Sequence, residues 1–313
     1  MKILITGGAG FIGTNIAASM LDRHEIVAYD NITRNALKHF REVYDHKNFR
    51  LVTADVLDRE KLASEMEGSD VVMHLAAIAG VSNYFKQPVK TMQVNFLGTL
   101  SALEAAKKAE PKLFINMSTS ETYGVVADHV KETDNTSQGP AGELRFTYSV
   151  SKLAGEHLCF AYHKQYGLPV VSLRPFNIYG PGQVGEGAIQ RFVTAALKNE
   201  SISITGDGSQ VRSWCYITDL VRAVQKVLDN KSAIGNLFNI GNADTEITIK
   251  ELADKIIKLS SSKSKTKFVE GMGADVIYRV PNVEKAKKLL GWSPEVGLDE
   301  GIRKSIDWYD KND

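Results

Sequence analysis

A tyrosine and a lysine four residues apart, in ELRFTYSVSK (143–152), are residue types whose spacing allows acid–base chemistry. On a helix, Tyr148 and Lys152 would share one face about one turn apart. A phenol titrating near pH 10 is a poor base at neutral pH, and an adjacent ammonium favours its anion. Two ordinary surface residues would show the same spacing, so the rest of the chain must supply the partners of such a pair.

A second chemical signal opens the chain. ILITGGAGFIG places Gly8, Gly10 and Gly13 in G-x-G-x-x-G spacing, and Gly7, Gly10 and Gly13 in the looser G-x-x-G-x-x-G form. The pattern follows an apolar strand and begins a helix, where glycines permit a tight turn, backbone approach to a pyrophosphate and close helix–strand packing. The helix amino terminus then offers free N–H groups to phosphate. The next strand ends in Asp30, an acid placed to accept both ribose hydroxyls of NAD and to repel a 2′-phosphate. Arg34 follows closely and would favour NADP instead; the acid makes NAD the preferred cofactor. Asp55, after the third strand in TADVLD, is placed either to meet the adenine or to serve as a strand-end turn residue.

These residues need a scaffold that brings strand ends together. Short apolar runs at Ile3–Thr6, Glu25–Tyr29, Phe49–Thr53, Val71–Leu75, Leu113–Met117 and Val170–Leu173 read as strands. Helical patterns lie near Ile12–Leu21, Arg59–Glu67, Val89–Ala109 and Tyr148–Tyr166. The βαβ rhythm predicts an α/β fold, a Rossmann-like doubly wound parallel sheet, and strands this apolar fit a sheet covered on both faces. HLAAIAG (74–80), MSTSETYG (117–124) and RPFNIYGPGQ (174–183) then fall at carboxyl ends of strands, where such sheets bind ligands. Beyond RPFNIYGPGQ the rhythm loosens, with helices near Ile249–Leu259 and Val283–Leu290. This divides the chain into a dinucleotide-binding domain, 1–175, and a smaller α/β substrate-binding lobe, 176–313, with interleaved boundaries. SSSKSKTK (260–267) reads as a solvated loop.

Composition narrows the class. The 313 residues are 43% apolar and 24% charged, and 38 basic against 37 acidic residues leave a formal charge of +1. That balance gives no electrostatic case for nucleic acid or an anionic membrane. Cys159 and Cys215 are the only cysteines, in no metal-ligand pattern, and the seven histidines are scattered, so no metal site is expected. His74 and His157 read as structural or solvated. MKILITGGAG lacks the apolar run of a signal peptide or membrane helix, which points to the cytoplasm.

With these stretches in hand, the chain resembles an extended short-chain dehydrogenase/reductase of the NAD-dependent nucleotide-sugar epimerase/dehydratase type. The matches are TGGAGFIG, LAA, STSETYG, YSVSK, RPFNIYGPGQ, GDGSQVRSWCYITDL and KAKKLLGWSPE, in the family's order over nearly the whole length. The resemblance implies that Tyr148 takes the proton from a sugar hydroxyl, usually at C4, as hydride leaves for NAD. Lys152 would hold the nicotinamide ribose and lower the phenol's pKa, and Thr119 would hydrogen-bond the same hydroxyl. The cofactor set it implies runs through Gly7, Gly10, Phe11, Ile12 and Gly13, then Asp30, Asn31, Asp55 and Val56. Leu75, Ala76 and Ala77 complete it, with Asn95 ordering the active-site helix or its water, or simply closing a helix end. Asn177 and Arg212 would hold the nucleotide diphosphate, since arginine's planar fork suits phosphate; for Arg212 a salt-bridged structural role is the alternative. Many relatives carry an arginine where this chain has Met272, in GMGADVIYR, and Arg279 stands as the substitute. The family also implies a homodimer through the helices near 89–109 and 148–166, although core burial explains Cys159, Phe160 and Ala161 equally well.

A C4 ketone permits several second steps, and the TSE triplet bears on which. Glu121, two residues beyond Thr119 and next to Ser120, would move a proton at C5 or C6, suggesting 4,6-dehydration or loss of a C6 carboxylate. Dehydratases of the thymidine type show TDE, whereas some acting on mannose nucleotides show TSE. UDP-glucuronate decarboxylases share STSE and an arginine three residues before the tyrosine, here Arg145, which either binds a carboxylate or sits on the surface. Their next motif reads GPR where this chain has GPGQVGEG. Dehydration and decarboxylation stand level, with epimerisation behind, then a keto-sugar reductase and a silent dinucleotide-binding protein. In the first three NAD is recycled, with no net consumption.

Overall fold

The computed structural model describes residues 1–271 and 275–312, so Met272 lies outside the described residues. Its main sheet has seven parallel strands, in spatial order Leu237–Ile240, Val170–Pro175, Leu113–Met117, Val71–His74, Lys2–Thr6, Glu25–Asp30 and Phe49–Thr53. Successive side chains of a strand point to opposite faces, and both faces here are apolar. Ile3 and Ile5 enter one buried cluster with Ile26, Met73, Ile115 and Leu173. Leu4 enters another with Val27, Val72, Phe114 and Val170. Helices Phe11–Ala18 and Ile217–Leu228 pack against each other at the first face, and Arg59–Met66, Gly98–Ala109 and Thr147–Tyr166 at the second. This is the Rossmann-like doubly wound α/β fold expected from the βαβ rhythm.

Strand order reverses between Lys2–Thr6 and Val71–His74, which share a register from Ile3↔Val71 to Thr6↔His74. The crevice at such a switch point is where open α/β sheets take ligands.

Three local readings change. The pattern over Val89–Ala109 is not one α-helix: Pro88–Met92 and Gly98–Ala109 flank a π-turn, Gln93–Leu97. Such turns occur mostly as single inserts near functional sites, and periodicity cannot reveal one extra residue. Leu237–Ile240 joins the main sheet beside Val170–Pro175, although glycine-rich segments around it obscure the strand. The polar run 260–267 is not simply solvated. Ser262 Oγ donates to the Ala196 carbonyl at 2.6 Å, and Thr266–Val269 pairs with Ile202–Thr205.

A four-stranded sheet, in order Ile247–Thr248, Val211–Arg212, Tyr278–Pro281 and Val126–Val130, flanks the carboxyl end of the main sheet. Its register sets Arg212 directly beside Arg279. The helix Ile249–Leu259 begins with a reciprocal cap in which Thr248 Oγ1 accepts from Glu251 N at 3.1 Å. Both cysteines are buried free thiols, and Cys159 belongs to the core of its own chain.

Candidate active site

A cleft of about 620 Å3 opens at the switch point, walled by the glycine loop, the three strand-end stretches and the start of helix Thr147–Tyr166. Gly7 has φ +73°, and a Cβ there would lie 2.8 Å from Ala76 N. A Cβ on Gly13 would lie 2.4 Å from the Gly7 carbonyl oxygen. Gly10 caps helix Phe11–Ala18 without a side chain, leaving the helix amino terminus open to the cleft. The loop is thus a cradle with no room for side chains, which is what close approach of a pyrophosphate requires. Gly13→Ala should cost about tenfold or more in dinucleotide affinity by titration calorimetry, because the clash is with backbone.

Asp30 lies at the cleft with its carboxylate accepting from Ala9 N at 3.0 Å and Ile32 N at 2.7 Å. Burial raises its carboxyl, opposed by these backbone donors. Phe11, Ile12, Asn31, Val56, Leu75, Ala76 and Ala77 line the cleft as well. Two of the grouped residues do not. Asp55 is a turn residue: Oδ1 accepts from Leu57 N at 3.0 Å, and its carbonyl accepts from the Tyr29 hydroxyl at 3.0 Å. Asn95 is fully buried behind the wall, its Oδ1 accepting from Ile78 N at 2.7 Å and Nδ2 donating to Ser151 Oγ at 3.0 Å. Arg34 does not point to the ribose end. Its guanidinium fills the space beside Gly80 and Gly185, and its charge acts on Tyr148.

Tyr148 and Lys152 stand on the first turns of helix Thr147–Tyr166 and both line the cleft. Burial, and then the Glu121 carboxylate, push the phenol up to about 12, against a hydrogen bond with Thr119 and the charge of Arg34. Lys152 is only 3% exposed, and burial pushes its ammonium down to about 8, against Cys159 and Glu156. The phenol's opposing partners in this structure are therefore Thr119 and Arg34, where the sequence pointed to the lysine. Thr119 caps the short turn Ser120–Tyr123, its Oγ1 accepting from Glu121 N at 3.2 Å.

That turn aims Glu121 into an arginine cluster. Arg145 Nη1 stands 2.8 Å from Glu121 Oε2, and Arg279 Nη1 stands 3.1 Å from Oε1. Both arginines are buried, so Arg145 is not a surface residue. Burial alone would raise the Glu121 carboxyl, but Arg279 and then Arg145 outweigh it and hold the group at about 2. Arg279 also donates to the Gly124 carbonyl, which locks its fork. Arg212 stands one register position away, donating to the Val276 carbonyl at 2.6 Å and facing Asp275 at 3.5 Å. Burial and the like charge of Arg279 lower it to about 10. Asn177, at φ +41°, lines the cleft and donates to the Ser213 carbonyl at 2.7 Å.

The family profile described as the NAD dependent epimerase/dehydratase family matches residues 3–241. The chain belongs to this family. It is 35% identical over 318 residues to the UDP-N-acetyl-alpha-D-glucosaminuronate decarboxylase of Bacillus cytotoxicus, covering 98% of this chain and 97% of that one. It is 36% identical over 314 residues to UDP-glucuronic acid decarboxylase 1 of Danio rerio, covering 99% and 73%. Among solved structures, the UDP-glucuronic acid 4-epimerase of Bacillus cereus, in complex with UDP-glucuronic acid and NAD, superposes with TM-score 0.91 at 32% identity, covering all of both chains. The chain is accordingly an NAD-dependent nucleotide-sugar enzyme of the extended short-chain dehydrogenase/reductase type, working through a 4-keto intermediate. The glycine loop and Asp30 would hold NAD, which would supply a hydride acceptor for the sugar and be regenerated when the hydride goes back.

In this epimerase/dehydratase family member, sequence reasoning passed over Tyr84. Its ring stacks on that of Tyr148, centroids 5.1 Å apart and planes 6° from parallel, and the Arg145 guanidinium lies over the Tyr84 ring, 5.8 Å from its centroid. The residue follows HLAAIAG, one of the strand-end stretches, and that position was its only signal. Ser82 and Glu186 were also missed: Ser82 N donates to Glu186 Oε2 at 3.1 Å, joining segment 80–86 to loop 180–187 across 104 residues of sequence.

Proposed function

We propose that this enzyme removes the C6 carboxylate of a UDP-linked uronic acid. The observation that carries the reading is the Glu121 cluster: two buried guanidiniums converge on one carboxylate beside the Tyr148 phenol. Such a pair is a receptor for a planar carboxylate. Glu121, held at about 2, has no proton to give at neutral pH. That disfavours dehydration with Glu121 as the acid for a leaving hydroxyl. Decarboxylation needs no such acid.

As the phenolate, Tyr148 takes the proton of the C4 hydroxyl, with Thr119 hydrogen-bonded to its oxygen and placed to share the sugar oxygen. Oxidation at C4 turns the sugar into a β-keto acid. The C5–C6 bond then breaks, carbon dioxide leaves, and the electron pair passes into the C4 carbonyl as an enolate that Tyr148 and Thr119 stabilise by hydrogen bonds. A solvent proton then adds to C5 in place of the lost carboxylate, and Tyr148 gives its proton back to the C4 oxygen as the hydride goes back to C4. Arg145 and Arg279 orient the substrate carboxylate, and Glu121 beside it raises the energy of the ionised ground state by like-charge repulsion. Lys152 holds the nicotinamide ribose, the glycine loop and Asp30 hold the rest of the cofactor, and Arg212 and Asn177 hold the diphosphate. Residues 1–175 form the cofactor-binding part, and the lobe from 176 supplies the substrate side.

The named activities of the B. cytotoxicus and D. rerio relatives support this reading. A uronic-acid 4-epimerase, as named for the B. cereus structure, would use the same receptor; the carboxylate of Glu121 next to it favours decarboxylation. Mass spectrometry of products from a panel of UDP-, GDP-, CDP- and dTDP-linked sugars and uronic acids tests it. The expected result is loss of carbon dioxide from UDP-glucuronic acid or its N-acetylglucosamine counterpart. Unchanged mass with inverted stereochemistry, or loss of water from a neutral sugar, overturns it.

We further read the protein as a cytosolic homodimer. No helix among the described residues is long and apolar enough to cross a membrane, and both thiols are free. Val89 and Val150, 69% and 39% exposed, lie on the two helical stretches that pair in the family's dimers. Light scattering at micromolar concentration should give twice the chain mass.

A further inference from the structure

His74 ends the central strand Val71–His74 and is completely buried, close to the catalytic helix but outside the cleft's chemistry. Both ring nitrogens face hydroxyls: Nδ1 lies 2.9 Å from Thr6 Oγ1, and Nε2 lies 3.0 Å from Thr99 Oγ1. The remaining bonds of those hydroxyls decide the direction of each contact. Thr99 Oγ1 donates its single proton to the Asn95 carbonyl at 2.7 Å, so towards His74 it accepts, and Nε2 carries the proton. Thr6 Oγ1 accepts from Ala76 N at 3.2 Å and has its own proton left for the Nδ1 lone pair. Every donor and acceptor in the chain is then satisfied in one arrangement.

The chain continues on both sides into the active site. Ala76 lines the cofactor cleft above the glycine loop. Asn95 sits in the π-turn Gln93–Leu97, clamps the backbone of Ile78 and donates to Ser151 Oγ, which donates to the Tyr148 carbonyl at 2.7 Å. One buried path of hydrogen bonds therefore runs from the cofactor wall to the backbone of the proposed base.

We infer that His74, as the neutral Nε2–H tautomer, is a positioning residue that fixes the π-turn, and through Asn95 and Ser151 the catalytic helix, relative to the cofactor wall. The opposite tautomer would require Thr99 to withdraw its proton from Asn95 and leave that carbonyl short of a donor in a dry interior. The imidazolium is excluded by complete burial and by the charge of Lys152, which push the ring down to about 3. The inference rests on Tyr148 being the base.

The NAD-loaded enzyme tests it in two ways. Long-range nitrogen–proton NMR of the wild type at neutral pH should show His74 protonated at Nε2 only; protonation at Nδ1, or at both nitrogens, overturns the assignment. In kinetics with the UDP-sugar that the product panel shows to turn over, His74→Gln keeps a donor at the Nε2 position, and His74→Asn does not. His74→Asn should lose about tenfold or more in kcat with KM and bound NAD within about twofold, and His74→Gln should recover most of the loss. Equal losses in the two variants, or wild-type kcat in His74→Asn, overturn the positioning role. Tyr148→Phe run alongside separates the failures: if it retains turnover, the base assignment is at fault and not the histidine. If neither histidine variant folds, the wild-type spectrum decides.

Discussion

Tyr148→Phe should lower kcat about 10^2- to 10^4-fold, the range a positioned acid–base group supplies, while leaving the melting temperature and the bound dinucleotide essentially unchanged. Phenylalanine keeps the volume and the parallel stack on Tyr84 and removes only the hydroxyl. The pH profile gives a second reading of the same role. Because burial and Glu121 push the phenol up, it holds its proton at neutral pH, and proton abstraction becomes easier as pH rises toward about 12. Lys152 loses its charge through about 8, so the ribose contact proposed for its ammonium weakens above that value. The wild type should therefore gain activity from neutral pH and level off above about 8, where the growing phenolate fraction and the shrinking ammonium fraction offset each other, and Glu121→Gln should raise activity along the rising limb by removing one cause of the raised phenol. A rising limb of unchanged height in Glu121→Gln would mean that the phenol is not the group titrating.

The elements that build the switch point were legible because their signals are local. Ile3–Thr6 and Phe49–Thr53 are apolar runs bounded by turn residues, and the strands observed there, Lys2–Thr6 and Phe49–Thr53, differ by at most one residue. Gly7, Gly13 and Asp30 were legible because a phosphate cradle and a ribose acceptor need those residue types at that spacing. What stayed hidden depends on tertiary contact. Nothing near Asn95 announces a π-turn, and whether Asn95 orders the active-site helix or merely closes a helix end is open until its side chain is seen bound to Ile78 and Ser151. Arg145 reads equally as a surface residue, because its burial depends on the turn at Ser120–Tyr123 and on Tyr278–Pro281 more than a hundred residues away. Arg34 sits at ribose-reading distance in sequence, yet the loop at Gly185 draws its guanidinium elsewhere. Spacing along the chain identified the chemistry; the charge balance of the site needed the fold.

That charge balance supplies the strongest test of the proposed substrate. Arg279→Met should weaken binding of UDP-glucuronic acid about 10- to 100-fold and leave UDP-glucose binding within about twofold, because a charge-assisted bond to carboxylate contributes about 1.5–3 kcal/mol. The same substitution leaves Glu121 with Arg145 as its remaining direct partner, so its carboxyl rises from about 2 toward the ordinary carboxylate range. The sign for stability follows. A carboxyl depressed in the folded state contributes stability above its unfolded pKa and loses it as pH falls through the folded value. The wild-type cluster thus keeps its contribution down to acidic pH, and Arg279→Met should begin to lose it at higher pH. Glu121→Gln/Arg279→Met removes both charges and should regain acid tolerance, since the penalty of a half-paired, partly buried carboxylate goes with it. Calorimetric titration with the two sugar nucleotides, together with melting curves between pH 4 and 8, reads both effects. Equal weakening of UDP-glucose and UDP-glucuronic acid would show that Arg279 serves the nucleotide or the fold, and the carboxylate receptor would have to be placed elsewhere.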